Sequence, residues 1–504
     1  MMSLIDDGPF RACPAPFNMA AHVLAAGQKS PEKDALVVLS KTQSERWSYA
    51  ALRRAVLGTA RGLLDRGLVP GDRVLMRLGN TVDFPIAYLG ALAAGLVPVP
   101  TSSALTERET AFIIDTVSPA LTLHDPQVAC PPGPARLSLE ALRRFRDLPS
   151  AAFHQGDPER PGYIIFTSGT AGIPRAVVHA HRAIWARQMM FEDWYGLGPE
   201  DRLLHAGAFN WTYTLGTGLM DPWTVGATAL IPAPGTPPEA LPGLLREHRA
   251  TLFAAAPGVY RQMLDRASDM EMPDLRHGLS AGEKLPQSTA EHWQHRTGCP
   301  IYEAYGLSEC STFISQPPAK PRAPGTLGRP QTGRRVALLK DGAVVPLGVE
   351  GTIAIDRRDP GLMLEYLNAP DATRARLSDS WFLTGDQAVM DTDGQLTYMG
   401  RHDDMMNAGG YRVSPIEVEN VLARVPGITA VAATEVEIKP DTTVIAAFYT
   451  GPQALDDQHL AAYVTEKLAR YKQPRLFVHL PALPMGANGK ILRRVLRDQF
   501  KRQT

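Results

Sequence analysis

Apolar residues recur at helical spacing at Leu52, Ala55, Val56, Ala60, Leu63 and Leu64, and Gly67 predicts where that helix stops. The period then changes. Positions 74–78 read as a short buried strand, 83–94 as a second helix and 97–99 as another strand. Strand and helix alternating at this pace predict α/β layers with largely parallel pairing. The same alternation returns around 163–190 and 250–264, so a strand, a loop and a helix are expected across the first of these. Proline-rich stretches at 130–135, 232–242 and 316–330 interrupt the pattern, and the first and last predict subdomain borders.

A sharper break lies near 400–404. Beyond it Ser414 reads as a helix N-cap, Pro415 as the first helical position and Glu417 as the partner that completes a capping box. That helix is expected to end at Pro426-Gly427, with strands at 431–436 and 444–449 and a further helix at 458–470. The expected division is a large domain over 1–400 and a small α+β domain over 401–504.

Composition narrows the function classes. A chain of 504 residues is too long for one core. At 44% hydrophobic and 21% charged residues it has the balance of a soluble globular protein. Lys plus Arg (52) equal Asp plus Glu (52), which argues against bulk electrostatic affinity for nucleic acid or an anionic membrane. Cys13, Cys130, Cys299 and Cys310 show no paired metal or redox spacing, as in a reducing compartment. Asp6 and Asp7 stand where an export signal would carry positive charge. The longest apolar stretch, 85–100, is broken by Gly and Pro and falls short of the ~20 residues of a membrane span. A cytoplasmic enzyme with no nucleic-acid or membrane partner is expected.

The densest chemistry is YIIFTSGTAGIPRAVV, residues 163–178. Hydroxyl residues alternating with glycine let side-chain hydroxyls and backbone N–H groups converge on phosphate oxygens. The Gly-Lys-Ser/Thr ending of a P-loop is missing, so a nucleotide phosphate handled in another way is expected. Four more segments follow: YEAYGLSE (302–309), WFLTGD (381–386), GRHDDMMNAGGYRVSPIEVE (400–419) and PMGANGKILRR (484–494). Each suits a nucleotide: an aromatic face for a base, a hydroxyl and carboxylate for phosphate and a hard cation, a carboxylate for ribose, and a lysine on an Asn-Gly turn.

Together, in this order and over nearly the whole chain, these segments resemble the AMP-forming adenylating enzymes: acyl-CoA and aryl-CoA synthetases, luciferases and peptide-synthetase adenylation domains. The resemblance implies a multidomain α/β fold. A large N-terminal adenylating domain, with α/β layered subdomains and a β-rich one, would carry a small mobile C-terminal α+β domain. It also implies ATP, Mg2+ and coenzyme A. Thr167, Ser168, Gly169, Thr170, Gly172 and Arg175 would form the phosphate loop. Tyr305 would stack on adenine, Ser308 bond the α-phosphate and Glu309 hold Mg2+, with Gly282, Glu283 and Gly306 beside them. Asp386 would accept the ribose hydroxyls and Arg401 contact ribose and phosphate. Asp403 would be the hinge, while Gly409, Gly410 and Arg412 line the pantetheine path. Lys490 would bind the substrate carboxylate and α-phosphate, and its setting resembles sites silenced by a lysine acetyltransferase, which would delete the charge. Catalysis would rest on Lys490, Glu309, Ser308, Thr167 and Arg175. Arg175 replaces the family's usual lysine, Ala176 a glycine, and Met485-Gly486 an Arg-Thr pair.

The acid is read from HAGAFNWTYTLG, residues 205–216, which resembles the entrance to the acyl pocket. His205, Phe209, Asn210, Trp211 and Thr214 would line it with Ala281 and Gly306, and Tyr213 adds to an aromatic slot. No carboxylate occurs in the segment, and a buried unpaired ammonium would be costly, so an amino acid is disfavoured. Acetate-type relatives carry Trp at the position of Gly306, so Gly306 is expected to leave space there. The expected activity is an AMP-forming ligation of an aryl or medium-length acyl acid to CoA. The alternative is loading of a carrier protein's phosphopantetheine, although no carrier segment is visible.

Overall fold

The computed structural model describes residues 1–503 except 41–42, 134, 168–173, 320–322, 324, 402–403, 409–410, 440–441 and 486–490. The side chains of 407–408, 411–412, 439, 442 and 502–503 are likewise outside the description. The first predicted helix is Tyr49–Asp65, capped by the Ser48 side chain, which accepts the Ala51 N–H at 3.2 Å. Gly67 follows it at φ +86, a conformation that glycine adopts without strain. Strands Arg73–Arg77, Val97–Pro100, Leu121–His124 and Arg136–Ser138 form a four-stranded parallel sheet. The helix Asp83–Ala93 is buried all round, which fits its largely apolar sequence beyond Asp83, whose carboxylate pairs with Arg143 and Arg146.

The central layer is a nine-stranded sheet. Its order is Arg329–Pro330, Ser311–Ser315, Ile301–Leu307, His277–Ala281, Leu252–Ala255, Arg202–His205, Thr228–Pro232, Asp34–Leu39, Glu45–Ser48. The six strands from Ile301–Leu307 to Asp34–Leu39 are parallel, and the strands at both ends are antiparallel. A seven-stranded antiparallel sheet, which includes Trp381–Met390 and Leu396–Arg401, supplies the β-rich subdomain. In the C-terminal part, strands Ala430–Lys439, Thr442–Thr450 and Leu476–His479 pack with helices Pro415–Leu422, Asp457–Thr465 and Arg493–Gln503. Its two hydrophobic clusters draw only on residues from Met406 onward, and the other clusters end at Tyr398.

Two expectations fail. The hydroxyl loop does not lead from a strand into a helix. Strand Pro161–Thr167 pairs antiparallel with Arg175–Ala180, with Thr167 opposite Arg175, so the loop closes a hairpin. The run RAVVHA buries apolar residues on both faces, Ala176 and Val178 against Leu75 and Val99, and Val177 against Ile314. A strand buried on two faces shows no period to separate it from a helix. The capping box at Ser414 does not form either. Ser414 donates its hydroxyl to the Met399 carbonyl, and Glu417 pairs with Lys472 at 2.9 Å. Tertiary partners outcompete the local bonds.

Candidate active site

The carboxyl end of strand Ile301–Leu307 meets the seven-stranded sheet through Tyr305 and Asp386, and strand ends are the usual place for a ligand in such folds. Hairpin Ile301–Leu307/Ser311–Ser315 shifts register between Tyr305 and Gly306. The Tyr305 hydroxyl donates to Asp386 Oδ2 at 2.5 Å, and Tyr398 donates to Oδ1 at 3.2 Å. Asp386 and Arg401 are register partners in adjacent strands, which sets Arg401 Nε 3.6 Å from Oδ1. Phe313 packs edge-on to Tyr305 at 5.4 Å. Burial, and then the Asp386 charge, push both phenols' pKa up, so they stay donors through the physiological range. A carboxylate offers about four acceptor positions, so it can serve several donors at once.

One turn further on, the Ser308 side chain is exposed and its carbonyl accepts from His179 Nε2 at 2.7 Å. His179 stacks on Tyr163 with ring centroids 4.8 Å apart, and burial pushes its pKa down to about 4, so it is a neutral donor. Glu309 Oε1 accepts the Tyr366 hydroxyl at 2.6 Å. Strand Glu365–Tyr366 pairs with Arg175–Ala180, placing Tyr366 opposite Val177, and the Arg175 guanidinium lies 5.2 Å from the Tyr366 ring centroid. Arg175, Tyr366 and Glu309 therefore form one chain of contacts. Glu309 fits a magnesium ion held mainly by nucleotide phosphates: it is a half-buried hard carboxylate. Among the described residues no group of three or more His, Cys, Asp or Glu would hold a metal without such a ligand.

On the acyl side, His205 ends its strand in a row with Ala254, Leu279 and Tyr302. It is fully buried, and its Nδ1 accepts the Gly207 N–H at 2.9 Å, with Thr214 Oγ1 at 3.2 Å. Its ring is edge-on to Tyr213 (4.5 Å) and Trp211 (5.9 Å), which contact each other at 5.1 Å. Trp211 lies across Gly282, 3.9 Å from where a Cβ would stand, and Gly282 has φ +93. Ala281 is buried in the cluster that Tyr213 packs against. Glu283 is half-buried beside it. Asn210 donates to Ser103 Oγ at 3.1 Å.

Two acyl residues differ from expectation. Phe209 is fully buried in one hydrophobic cluster with Phe84 and Leu219, with its N–H bonded to Asn80 at 2.6 Å, so it is a core residue. Gly306 does not open a space. A Cβ there would stand 2.1 Å from the Ser311 carbonyl oxygen and 2.5 Å from Thr312 Cα, so the close hairpin requires glycine. Ser168, Gly169, Thr170, Gly172, Asp403, Gly409, Gly410 and Lys490 lie outside the described residues, as does the Arg412 side chain. Tyr398, Tyr366 and His179 join the site without having been expected. Alternation along the strand puts Arg175 and His179 on one face, the one available signal for His179.

Residues 23–367 match the family described as AMP-binding enzyme, and residues 417–490 match the AMP-binding enzyme C-terminal domain. The chain belongs to the AMP-binding enzyme family. This AMP-binding enzyme is 33% identical over 462 residues to a benzoate–CoA ligase of Thauera aromatica, covering 86% of each chain. A 3-hydroxybenzoate–CoA/4-hydroxybenzoate–CoA ligase of the same organism is 30% identical, with 90% of this chain and 92% of the relative covered. The crystal structure of a benzoate CoA ligase from Burkholderia xenovorans LB400 superposes with a TM-score of 0.84 at 28% identity, over 95% of this chain and all of that one. No helix among the described residues is long and apolar enough to cross a membrane.

Proposed function

We propose that this AMP-binding enzyme is an ATP-dependent, AMP-forming carboxylic acid–CoA ligase whose acid is aromatic. The observation that carries the reading is the convergence of Tyr305, Asp386 and Arg401 beside Ser308 and Glu309 at the strand ends. The aromatic preference rests on the Trp211–Tyr213–His205 wall and on relatives that ligate benzoates.

A substrate carboxylate oxygen attacks the α-phosphorus of ATP, and the bond to pyrophosphate breaks. The CoA sulfur then attacks the acyl carbon, the bond to AMP breaks, and the thiol proton passes to solvent. Tyr305 and Asp386 orient the adenosine, and the Ser308 hydroxyl contacts the α-phosphate. Glu309, braced by Tyr366, would hold Mg2+, which when bound would supply charge neutralisation at the phosphates. Lys490 brings a cation to the carboxylate, and a lysine acetyltransferase acting on it would remove that charge. The domain border falls at 400–401 with Asp403 as hinge; the separate hydrophobic clusters on either side support it. The enzyme works in the cytoplasm.

The test is incubation with ATP, magnesium and a panel of carboxylic acids, with and without CoA. CoA-dependent AMP release with an aromatic acid preferred is expected. Acid-dependent pyrophosphate exchange that ignores CoA would point to carrier loading, and no exchange with any acid would sink the enzyme reading.

A further inference from the structure

Two polar tips on the acyl side have no partner among the described residues: His205 Nε2 and Tyr213 Oη, both sealed from solvent. They belong to rings in edge-on contact. The neighbouring polar groups are already engaged. Asn210 binds Ser103, the Phe209 N–H binds Asn80, and Thr214 reaches His205 Nδ1. Another unpartnered hydroxyl, Ser280, alternates with Leu279 and Ala281 and so faces the opposite side of the sheet.

The tautomer of His205 follows from its neighbour. A backbone N–H can only donate, so Nδ1, which receives the Gly207 N–H, is an acceptor and the ring proton sits on Nε2. Burial pushes the pKa of His205 down to about 3, so the ring is neutral and this assignment holds through the physiological range. Tyr213 offers a hydroxyl that can donate or accept. A buried donor left unpaired is costly, whereas one matched by a ligand contributes selectivity.

We propose that His205 and Tyr213 form a polar end to the acyl site that receives a neutral hydroxyl on the substrate ring, so that the preferred acid is a hydroxylated aromatic carboxylate. The inference rests on the ligase reading. The substituent's oxygen accepts from His205 Nε2–H and shares a hydrogen bond with the Tyr213 hydroxyl. Neither group carries charge, and the Arg187 guanidinium that acts on Tyr213 is already paired with Asp221 at 2.6 Å.

The experiment measures kcat/KM for CoA-dependent AMP release with benzoate, its three monohydroxy derivatives and hexanoate, in wild type, Tyr213→Phe and His205→Gln. Thermal melting and ATP binding check that each variant folds. In wild type at least one hydroxybenzoate should exceed benzoate tenfold or more, about 1.4 kcal/mol in transition-state binding. Tyr213→Phe removes only the hydroxyl and should lower that ratio about tenfold. His205→Gln, with its backbone contact at risk, should lower it further. Benzoate or hexanoate used as well as every hydroxybenzoate would leave the ligase standing and overturn this inference, as would an unchanged ratio in a folded Tyr213→Phe. A bound water pairing both tips would give that same flat profile. AMP release with none of the acids would overturn the ligase reading and this inference with it.

Discussion

The half of the site proposed for the nucleotide and the half proposed for the acid are built differently. In the first, the carboxylates of Asp386 and Glu309 already hold tyrosine hydroxyls, and strand pairing fixes Arg401 and Arg175 beside them. In the second, His205 and Tyr213 touch through their rings while their polar tips are unmatched among the described residues. On the proposed reading, the sheet pre-arranges the nucleotide half whatever acid is used, as charge stabilisation requires. On the same reading, the acyl half leaves its hydrogen bonding to be completed by the acid, and there specificity can be set.

The largest expected effect is at Asp386. Asp386→Asn loses charge-assisted bonds to ribose and should lower kcat/KM for ATP about 100-fold, equally for every acid. Gly306 separates the halves more sharply. Gly306→Ala drives a methyl into the Ser311 carbonyl, and overpacking of this kind costs about 1–3 kcal/mol. The melting temperature should fall; an unchanged melting temperature with altered acid preference would return Gly306 to the acyl pocket. Tyr366→Phe removes the hydroxyl bonded to Glu309 and should reduce turnover about tenfold while raising the magnesium needed for half-maximal rate. An unchanged magnesium response would leave Tyr366 as a packing residue.

The last effect bears on stability rather than on turnover and reaches beyond the site. Burial lowers His179 and His277 to about 4 and His181 and His205 to about 3. The unfolded chain binds these protons near 6.5, so stability is full above that value and is lost as pH falls toward 4. Between pH 7.5 and 6 each imidazole should cost about 0.8 kcal/mol, read from urea midpoints. A midpoint that rises on acidification would contradict neutral burial.

Because they stand in short motifs, Tyr305, Ser308, Glu309, Asp386 and Arg401 were legible in the sequence as candidates, and the structure brings Tyr305, Asp386 and Arg401 into contact. Tyr398, Tyr366 and His179 were not. Each lies in a strand where alternation fixes the face but not the neighbour, and their partners are distant in sequence. The hairpin at Arg175–Ala180 was misread because a strand buried on both faces has no period. Gly306 was misread because a missing side chain can mark open space or a close backbone, and only the register shift beside it distinguishes the two. Layers, helix starts and the C-terminal α+β unit follow from pattern, except where Met399 and Lys472 draw Ser414 and Glu417 away from their cap.

The most direct test of the division is the ratio of kcat/KM for the preferred hydroxybenzoate over benzoate, measured in Asp386→Asn and in wild type. If the nucleotide half is indifferent to the acid, both values fall together and the ratio stays within about twofold. A ratio that moves tenfold in Asp386→Asn would contradict it.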